Sequence, residues 1–576
     1  MTTVADQLFL PAGLDAGEWE SVRPFFESLG SRPVSSPAEF ERWLLDRSDL
    51  DAACSQARAN RYIAMTCRTD DPAAAGAWTK YIEETAPKLK PAEFELDKRQ
   101  TELFTRFPLD RARYQVLDRD ARVGVELFRQ ENVPLETELA RLDQRYDEIC
   151  GAMLVDFEGE QRPMPRMARF QQETDRNLRE RAWRAAAERR LQDKEEIESI
   201  YDQMVALRHK LAANAGFPDF RAYAFRSKRR FDYTPEHCAA FHQAAQECVV
   251  PFLHKLDQRR RSHLGLSRLR PWDLGVEERG RPPLRPFETG QQLVEQTRRV
   301  YDRIDPELAS MFRDLGDNMQ ERPGGVRLDL DSRKGKASGG YQYARDRDRT
   351  SFIFMNAAGM HGDVHTMVHE AGHMFHSQLS RDEPLVGYRH SPIEFAEVAS
   401  MSQELLTMPE WNEYYADPAQ ADRARREQLE GSISLLAWIA QIDAFQHWVY
   451  LNPGHTREQR RDHWLALDAR FGRDLDWSGL EHVRGWVWHR QSHLFGSPFY
   501  YIEYGIAQLG ALGLWLHSLE RGRPAALALY KKALTLGGSR PLPELFAAAG
   551  LKFDFGPGAV RRLVAAVESE LAKLPE

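Results

Sequence analysis

The chain has 576 residues, 42% hydrophobic and 29% charged, and its 79 Lys and Arg against 87 Asp and Glu leave a net charge of −8. That length exceeds one ordinary core, so at least two lobes are expected, and the acidic balance argues against a nucleic-acid-binding surface built on basic charge. The N-terminal MTTVADQLFLPAGLD has no basic stretch leading into a long apolar run, and the longest apolar run, 505–516, is interrupted by Gln508 and too short to span a bilayer. A cytoplasmic protein with no membrane partner is the expectation. Five cysteines, at 54, 67, 150, 238 and 248, show no paired metal-ligand spacing and read as reduced thiols, mostly small core residues.

In chain order, residues 1–160 read as an N-terminal helical region, with helices at 74–85, 91–106 and 133–155. Residues 161–576 form the second region. It opens with a long charged helix at 173–215 that stops at Gly216-Phe217-Pro218. The basic run Arg226-Ser227-Lys228-Arg229-Arg230 and the triplet Arg259-Arg260-Arg261 read as solvated helix ends or loops. A helix over 234–262 follows Thr234-Pro235-Glu236. The Pro- and Gly-rich stretch 271–290 reads as a connecting loop, with a lobe boundary near 265–290. Strands are expected at 325–330, 341–344 and 352–355 as a small antiparallel sheet, whose edge could accept an extended peptide or could be an ordinary hairpin.

The most informative stretch is His369-Glu370-Ala371-Gly372-His373. Residues four apart on a helix lie about 40° apart around its axis, so both imidazoles project from one face and can hold a zinc ion together. The glutamate between them can take a proton from water. Val364, Val368, Ala371, Phe375 and Leu379 make the apolar stripe of the same helix. Gly372 costs about 1 kcal/mol of helix propensity, and its missing side chain would let another segment approach closely. A third protein ligand is wanted. His376 lies about 10 Å from His369 along a straight helix, too far for one ion. Ser391-Pro392-Ile393-Glu394 reads as a capping box that opens the next helix and occupies Glu394. Glu397, one turn further in, is free to ligate. Glu404 shares its face and suits a hydrogen bond to a ligating histidine.

These residues resemble the thimet oligopeptidase and oligoendopeptidase F family of zinc metallopeptidases. The blocks that carry the likeness are KGKASGGYQY (334–343), SFIFMN (351–356) with Gly359 and Asp363, HEAGHMFH (369–376), FAEVASMSQE (395–404) with Glu397 at the ligand position, and HLFGSPFYYIEY (493–504). Weaker likeness extends to FPDFRAYAF (217–225) and GLKFDF (550–555), and the pattern is similar to the bacterial oligoendopeptidase F-like branch. The resemblance implies a mainly α, elongated, two-lobed molecule of zincin type with a deep channel and a small antiparallel sheet beside the metal helix. It implies cleavage of short unstructured oligopeptides. It also implies that His493, Tyr501 and Tyr504 hold the substrate carbonyl oxygen, with Tyr500 competing for the place of Tyr501. Only Gly496 remains of the glycine-rich stretch that some members carry between that His and the tyrosines.

The combined expectation is a zinc endopeptidase with one Zn²⁺ per chain held by His369, His373 and Glu397. Glu370 is the general base for metal-activated water, and His493, Tyr501 and Tyr504 stabilise the oxyanion. The alternatives are a zinc exopeptidase on the same scaffold, either a carboxypeptidase or a dipeptidyl carboxypeptidase, and a non-catalytic peptide-binding protein. An intact Glu370 speaks against the last.

Overall fold

The computed structural model describes residues 9–575 apart from 12, 334 and 338. Lys334 and Ser338 of the KGKASGGYQY block, and the first eight residues of the N-terminal stretch, lie outside the described residues. The architecture is mainly helical and two-lobed. The elements that matter for the site are α1 (Pro37–Cys67), the hairpin β1 (Leu154–Phe157) and β2 (Glu160–Pro163), α2 (Pro235–Ala244), β3 (Leu328–Asp331), β4 (Tyr341–Arg345), β5 (Thr350–Ala357), α3 (His361–Leu379), α4 (Ile393–Leu406), α5 (Pro418–Leu451) and α6 (Tyr501–Arg521).

Local sequence explains the starts of these helices. Pro37, Pro235 and Pro418 each sit in the first turn, where no N–H is needed. Ser36 accepts from the Glu39 N–H at the head of α1, and Asp417 accepts from the Ala419 N–H at the head of α5. At α3, Asp363 turns back and accepts from the Ala358 and Met360 N–H groups, each at 2.8 Å.

Several boundaries depart from the sequence reading for physical reasons. The helix expected over 173–215 is two, Arg176–Gln192 and Lys194–Asn214, broken at Asp193, whose carboxylate pairs with Arg189 at 2.5 Å. Its end is as expected: Gly216 has φ +85°, and the Gly216 and Phe217 N–H groups fold back onto the Ala213 and Ala212 carbonyls. The helix expected over 234–262 carries a π-type turn at Ala245–Val249, just before Pro251, which has no N–H to continue the ladder. The helix expected over 133–155 stops at Gly151, because 154–157 pair with 160–163 as the β1–β2 hairpin.

The sheet beside α3 has order β3-β5-β4. β4 pairs antiparallel with β5, as expected, but β3 runs parallel to β5, so the sheet is mixed. β5 is the central strand, and its run Ser351 to Met355 is fully buried.

Among the described residues there are two large hydrophobic cores and two small satellite clusters. The larger runs from Leu142 to Leu571 and contains Val364, Ala371 and Phe375 of α3 with Phe395, Val398 and Ala399 of α4. The smaller gathers N-terminal residues from Leu10 to Val116 and is closed by Leu385 and Tyr388 from the segment between α3 and α4. Polar contacts fasten this join. Ser48 donates to the Pro384 carbonyl at 2.9 Å, Ser55 donates to Asp346 at 2.6 Å, and His390 meets the other Asp346 oxygen at 2.9 Å. Among the described residues, no helix is long and apolar enough to cross a membrane, and all five cysteines are free thiols.

Candidate active site

α3 packs Val364, Val368, Ala371 and Phe375 into the core with no exposure. The opposite face carries His369 and His373, which are partly exposed. α4 crosses α3 at Gly372. A Cβ there would stand 2.5 Å from the Ala399 carbonyl oxygen and 2.5 Å from Ser400 Cα. The close approach read from the sequence is thus made by α4, and it brings Glu397 against the two histidines.

One ligand atom from each of His369, His373 and Glu397 lies within 4.8 Å of the other two. Glu397 Oε2 is 3.4 Å from His369 Nε2 and 3.6 Å from His373 Nε2. His369 Nδ1 meets Glu404 Oε1 at 2.6 Å, which turns Nε2 toward Glu397. Glu404 also accepts from Gln428 at 3.1 Å and pairs with His365 Nε2 at 2.7 Å.

The Glu397 and Glu404 carboxylates dominate the electrostatics at this point. Burial pushes His369 toward neutrality, but the Glu397 and Glu404 carboxylates outweigh it and hold its pKa well above the ordinary value. Burial pushes His373 down to about 4, so it is a neutral donor. Burial alone would raise the Glu397 carboxyl, yet the hydrogen bond from His369 and the charges of both histidines hold it at about 2. A neutral imidazole, a second imidazole oriented by a carboxylate and an ionised carboxylate fit a zinc ion with one position left open.

Glu370 follows His369 on the same turn and is 6% exposed. Burial raises its carboxyl to about 7, against the His369 charge and the Gln342 backbone N–H of β4, which lower it. A dication beside it would draw it back down.

His376 sits outside the trio, as the helix geometry required. Its ring is buried beside Phe395, and burial pushes its pKa down to about 3. Glu394 corrects the sequence reading. No side-chain cap forms at the head of α4, and the Ser391 hydroxyl donates to the Pro392 carbonyl instead. Glu394 turns inward and accepts from the Tyr233 hydroxyl at 2.7 Å. The run 226–230 is a second correction. Arg230 is not solvated; its guanidinium is buried on Glu503 at 2.8 Å and on the Phe499 carbonyl.

The late segment brings His493 and three tyrosines together, with Tyr500 against Glu397. His493 has ring centroids 5.6 Å from Tyr500, 5.0 Å from Tyr501 and 6.0 Å from Tyr504. The Tyr500 hydroxyl reaches Glu397 Oε1 at 3.4 Å, whereas the Tyr501 hydroxyl donates to Gln491 Oε1 at 3.0 Å. Gln491 in turn contacts His493 Nδ1 at 2.9 Å through its amide nitrogen. Tyr504 lies beside Tyr500, with ring centroids 5.1 Å apart. Lys228 stands over the Tyr500 ring at 5.2 Å.

Sequence reasoning missed His365 and Gln491. His365 was within reach, since His361, His365, His369 and His373 recur every four residues on one helix. Gln491 carries no local signal; only the fold shows it bridging Tyr501 and His493.

The sequence model of peptidase family M3 matches residues 169–562. The chain is 22% identical over 311 residues to the group B oligopeptidase PepB of Streptococcus agalactiae serotype III (strain NEM316), covering 52% of this chain and 48% of that protein. It is 24% identical over 258 residues to the oligopeptidase PepF of Bacillus subtilis (strain 168), covering 43% of this chain and 37% of that one. The chain therefore spans about half the length, or less, of these curated relatives. The structure of PZ peptidase A with an inhibitor superposes with a TM-score of 0.86 at 27% identity, over 97% of this chain and 98% of that one. With the family model covering well over half of its residues, the chain belongs to peptidase family M3.

Proposed function

We propose that the protein is a zinc-dependent endopeptidase that hydrolyses short, unstructured oligopeptides. The observation that carries this reading is the convergence of His369, His373 and Glu397 on one point with Glu370 buried beside them. His369, His373 and Glu397 would hold the ion. When bound, zinc supplies Lewis acidity toward the scissile carbonyl and the attacking water. Glu370 accepts the proton of that water on its carboxylate and hands it to the leaving amine nitrogen. Its buried position keeps bulk water from competing for that proton. The Tyr500 hydroxyl, from the residue before α6, reaches the ligand cluster, and the Tyr504 and His493 rings pack beside it. These donors suit a carbonyl oxygen that gains negative charge only as water attacks. Tyr501 acts one step removed, holding Gln491, which orients the His493 ring.

Among the described residues β4 pairs with β5 on one side only, and its Gln342 N–H serves Glu370. A peptide laid along that edge would bind through its main chain, which suits broad sequence tolerance. The relatives described as oligopeptidases and the M3 family match support the same substrate class. The deciding experiment is mass spectrometry of products from a pool of peptides blocked at both ends, with and without chelator. Internal cleavage that chelation abolishes is the expected result. Release of terminal residues from unblocked peptides alone would make the protein an exopeptidase, and an uncut pool of either kind would make it a binder.

A further inference from the structure

Among the described residues, two groupings bring three metal-competent side chains together. One is the trio above. The other is Cys238, Asp443 and His447, whose donor atoms also lie within 4.8 Å of one another. Asp443 and His447 are one turn apart on α5, with the four-residue spacing of His369 and His373. Cys238 comes from α2, and so does His242, one turn further along.

The second cluster shares a geometric signature with the first. His447 Nε2 lies 3.3 Å from Asp443 Oδ2, yet makes no aligned hydrogen bond with it or with any other group. A third donor, from Cys238, lies within 4.8 Å of both. His369 and His373 stand toward Glu397 at nearly the same separations. Asp443 has no exposed surface, and its Oδ1 has no hydrogen-bond partner. Its other oxygen is taken by His242 Nε2 at 2.8 Å. A plain His–Asp–His network would use neither Asp443 Oδ1 nor His447 Nε2 and would give the Cys238 sulfur no role.

We propose that Cys238, Asp443 and His447 form a second metal site that takes a divalent transition-metal ion of the zinc class, with His242 orienting the carboxylate from outside. Thiolate and carboxylate together neutralise a dication, which removes the cost of a lone buried anion. A sulfur, nitrogen and oxygen donor set selects zinc over calcium or magnesium. Binding requires the Cys238 thiol to release its proton to solvent, so affinity rises with pH. Without the ion, burial and the Asp443 charge keep the thiol protonated.

The site also has a mechanical consequence. The His447 ring packs edge-on against Phe499 at 5.3 Å, and its neighbour Gln446 accepts from the Phe499 N–H at 2.5 Å. Phe499 holds φ +63°, a conformation strained for a side chain of that size, and the next residue is Tyr500. A metal that fixes His447 therefore braces the turn that delivers the tyrosines.

The test counts metal and looks for sulfur coordination. Zinc per chain is measured after dialysis in the parent, Glu397→Ala, Cys238→Ala and the double variant, and cobalt is loaded into Glu397→Ala for absorption spectroscopy. The expected result is two zinc ions in the parent, one in each single variant and none in the double variant. Cobalt should show a thiolate-to-metal charge-transfer band, since the catalytic trio has no sulfur, and Cys238→Ser should abolish it. Should Cys238→Ala not fold, the cobalt spectrum still decides, because it uses the intact thiol. One zinc ion in the parent, with no thiolate band in cobalt-loaded Glu397→Ala, would overturn the proposal without touching the catalytic reading.

Discussion

Gly372→Ala is the substitution whose effect follows most directly from the helix crossing. The added methyl would stand 2.5 Å from both the Ala399 carbonyl oxygen and Ser400 Cα. Ordinary non-bonded separations are about 3.5 Å, so α3 and α4 must part by about 1 Å. Both obstacles are backbone, and both lie about one turn from Glu397, so the strain cannot be relieved by a rotamer change. Zinc sites tolerate ligand displacements of only about 0.2 Å. The methyl should cost about 1–3 kcal/mol of stability as overpacking. It should also lower zinc affinity by at least about tenfold, equivalent to about 1.4 kcal/mol. A 1 Å misplacement of reacting groups is worth about 10²-fold in turnover. Gly362→Ala is the control: it lies in the same helix with nothing within 4 Å of its Cβ position, and should be neutral or slightly stabilising. Thermal melts, competitive zinc titration and peptide turnover are measured for both. If Gly372→Ala keeps parental zinc affinity and turnover within a few-fold, the crossing does not set the site.

Further consequences can be checked separately. Tyr500→Phe and Tyr504→Phe should each lower kcat on the order of 10²-fold with little change in KM or Tm, while Tyr501→Phe, which frees only Gln491, should cost far less; equal losses at all three would refute the division of roles. Glu404→Ala removes the acceptor that turns His369 and should weaken zinc binding about 10- to 100-fold, read by competition with a chromophoric chelator. The Asp346–His390 pair should stabilise the join of the two cores over a defined pH window. Burial works against both charges, but His390, Ser55 and Arg389 hold the Asp346 carboxyl below its usual value, and Asp346 holds His390 above its own. The contribution is therefore full between about pH 4 and pH 6.5, lost as acid protonates Asp346 and lost as base neutralises His390. The Tm gap between parent and Asp346→Asn should be wider at pH 5.5 than at pH 8.5, and a gap independent of pH would contradict it.

Much of this arrangement was legible in the chain because its determinants are local. The stripe Val364, Val368, Ala371 and Phe375 fixed which face of α3 is buried, and with it the direction of His369 and His373. Gly372 announced a close approach before the partner was visible. Glu397 was singled out partly by assigning Glu394 to a helix cap, and that premise fails: Glu394 bonds Tyr233, which lies 161 residues away in sequence. Local pattern cannot see such a partner. For the same reason the antiparallel direction expected of β3 gives way to a parallel one, since a strand's direction relative to its neighbour depends on how the chain returns. Tyr500 and Tyr501 could not be separated because their aim depends on Phe499, whose left-handed backbone is set by Gln446 of α5 and Arg230 rather than by its own neighbours. The basic run 226–230 looked solvated, yet Arg230 is buried on Glu503, and only tertiary pairing makes that affordable.

The proposed chemistry stands on Glu370 acting as a base beside a zinc ion held by His369, His373 and Glu397. The most direct measurement is turnover of an internally quenched peptide, blocked at both ends, by the parent and by Glu370→Gln, with zinc content determined on the same samples. Glu370→Gln keeps the shape of the side chain and removes its basic oxygen. Full zinc occupancy with turnover lowered by several orders of magnitude is the predicted result. Near-parental turnover by the zinc-loaded variant would contradict the account.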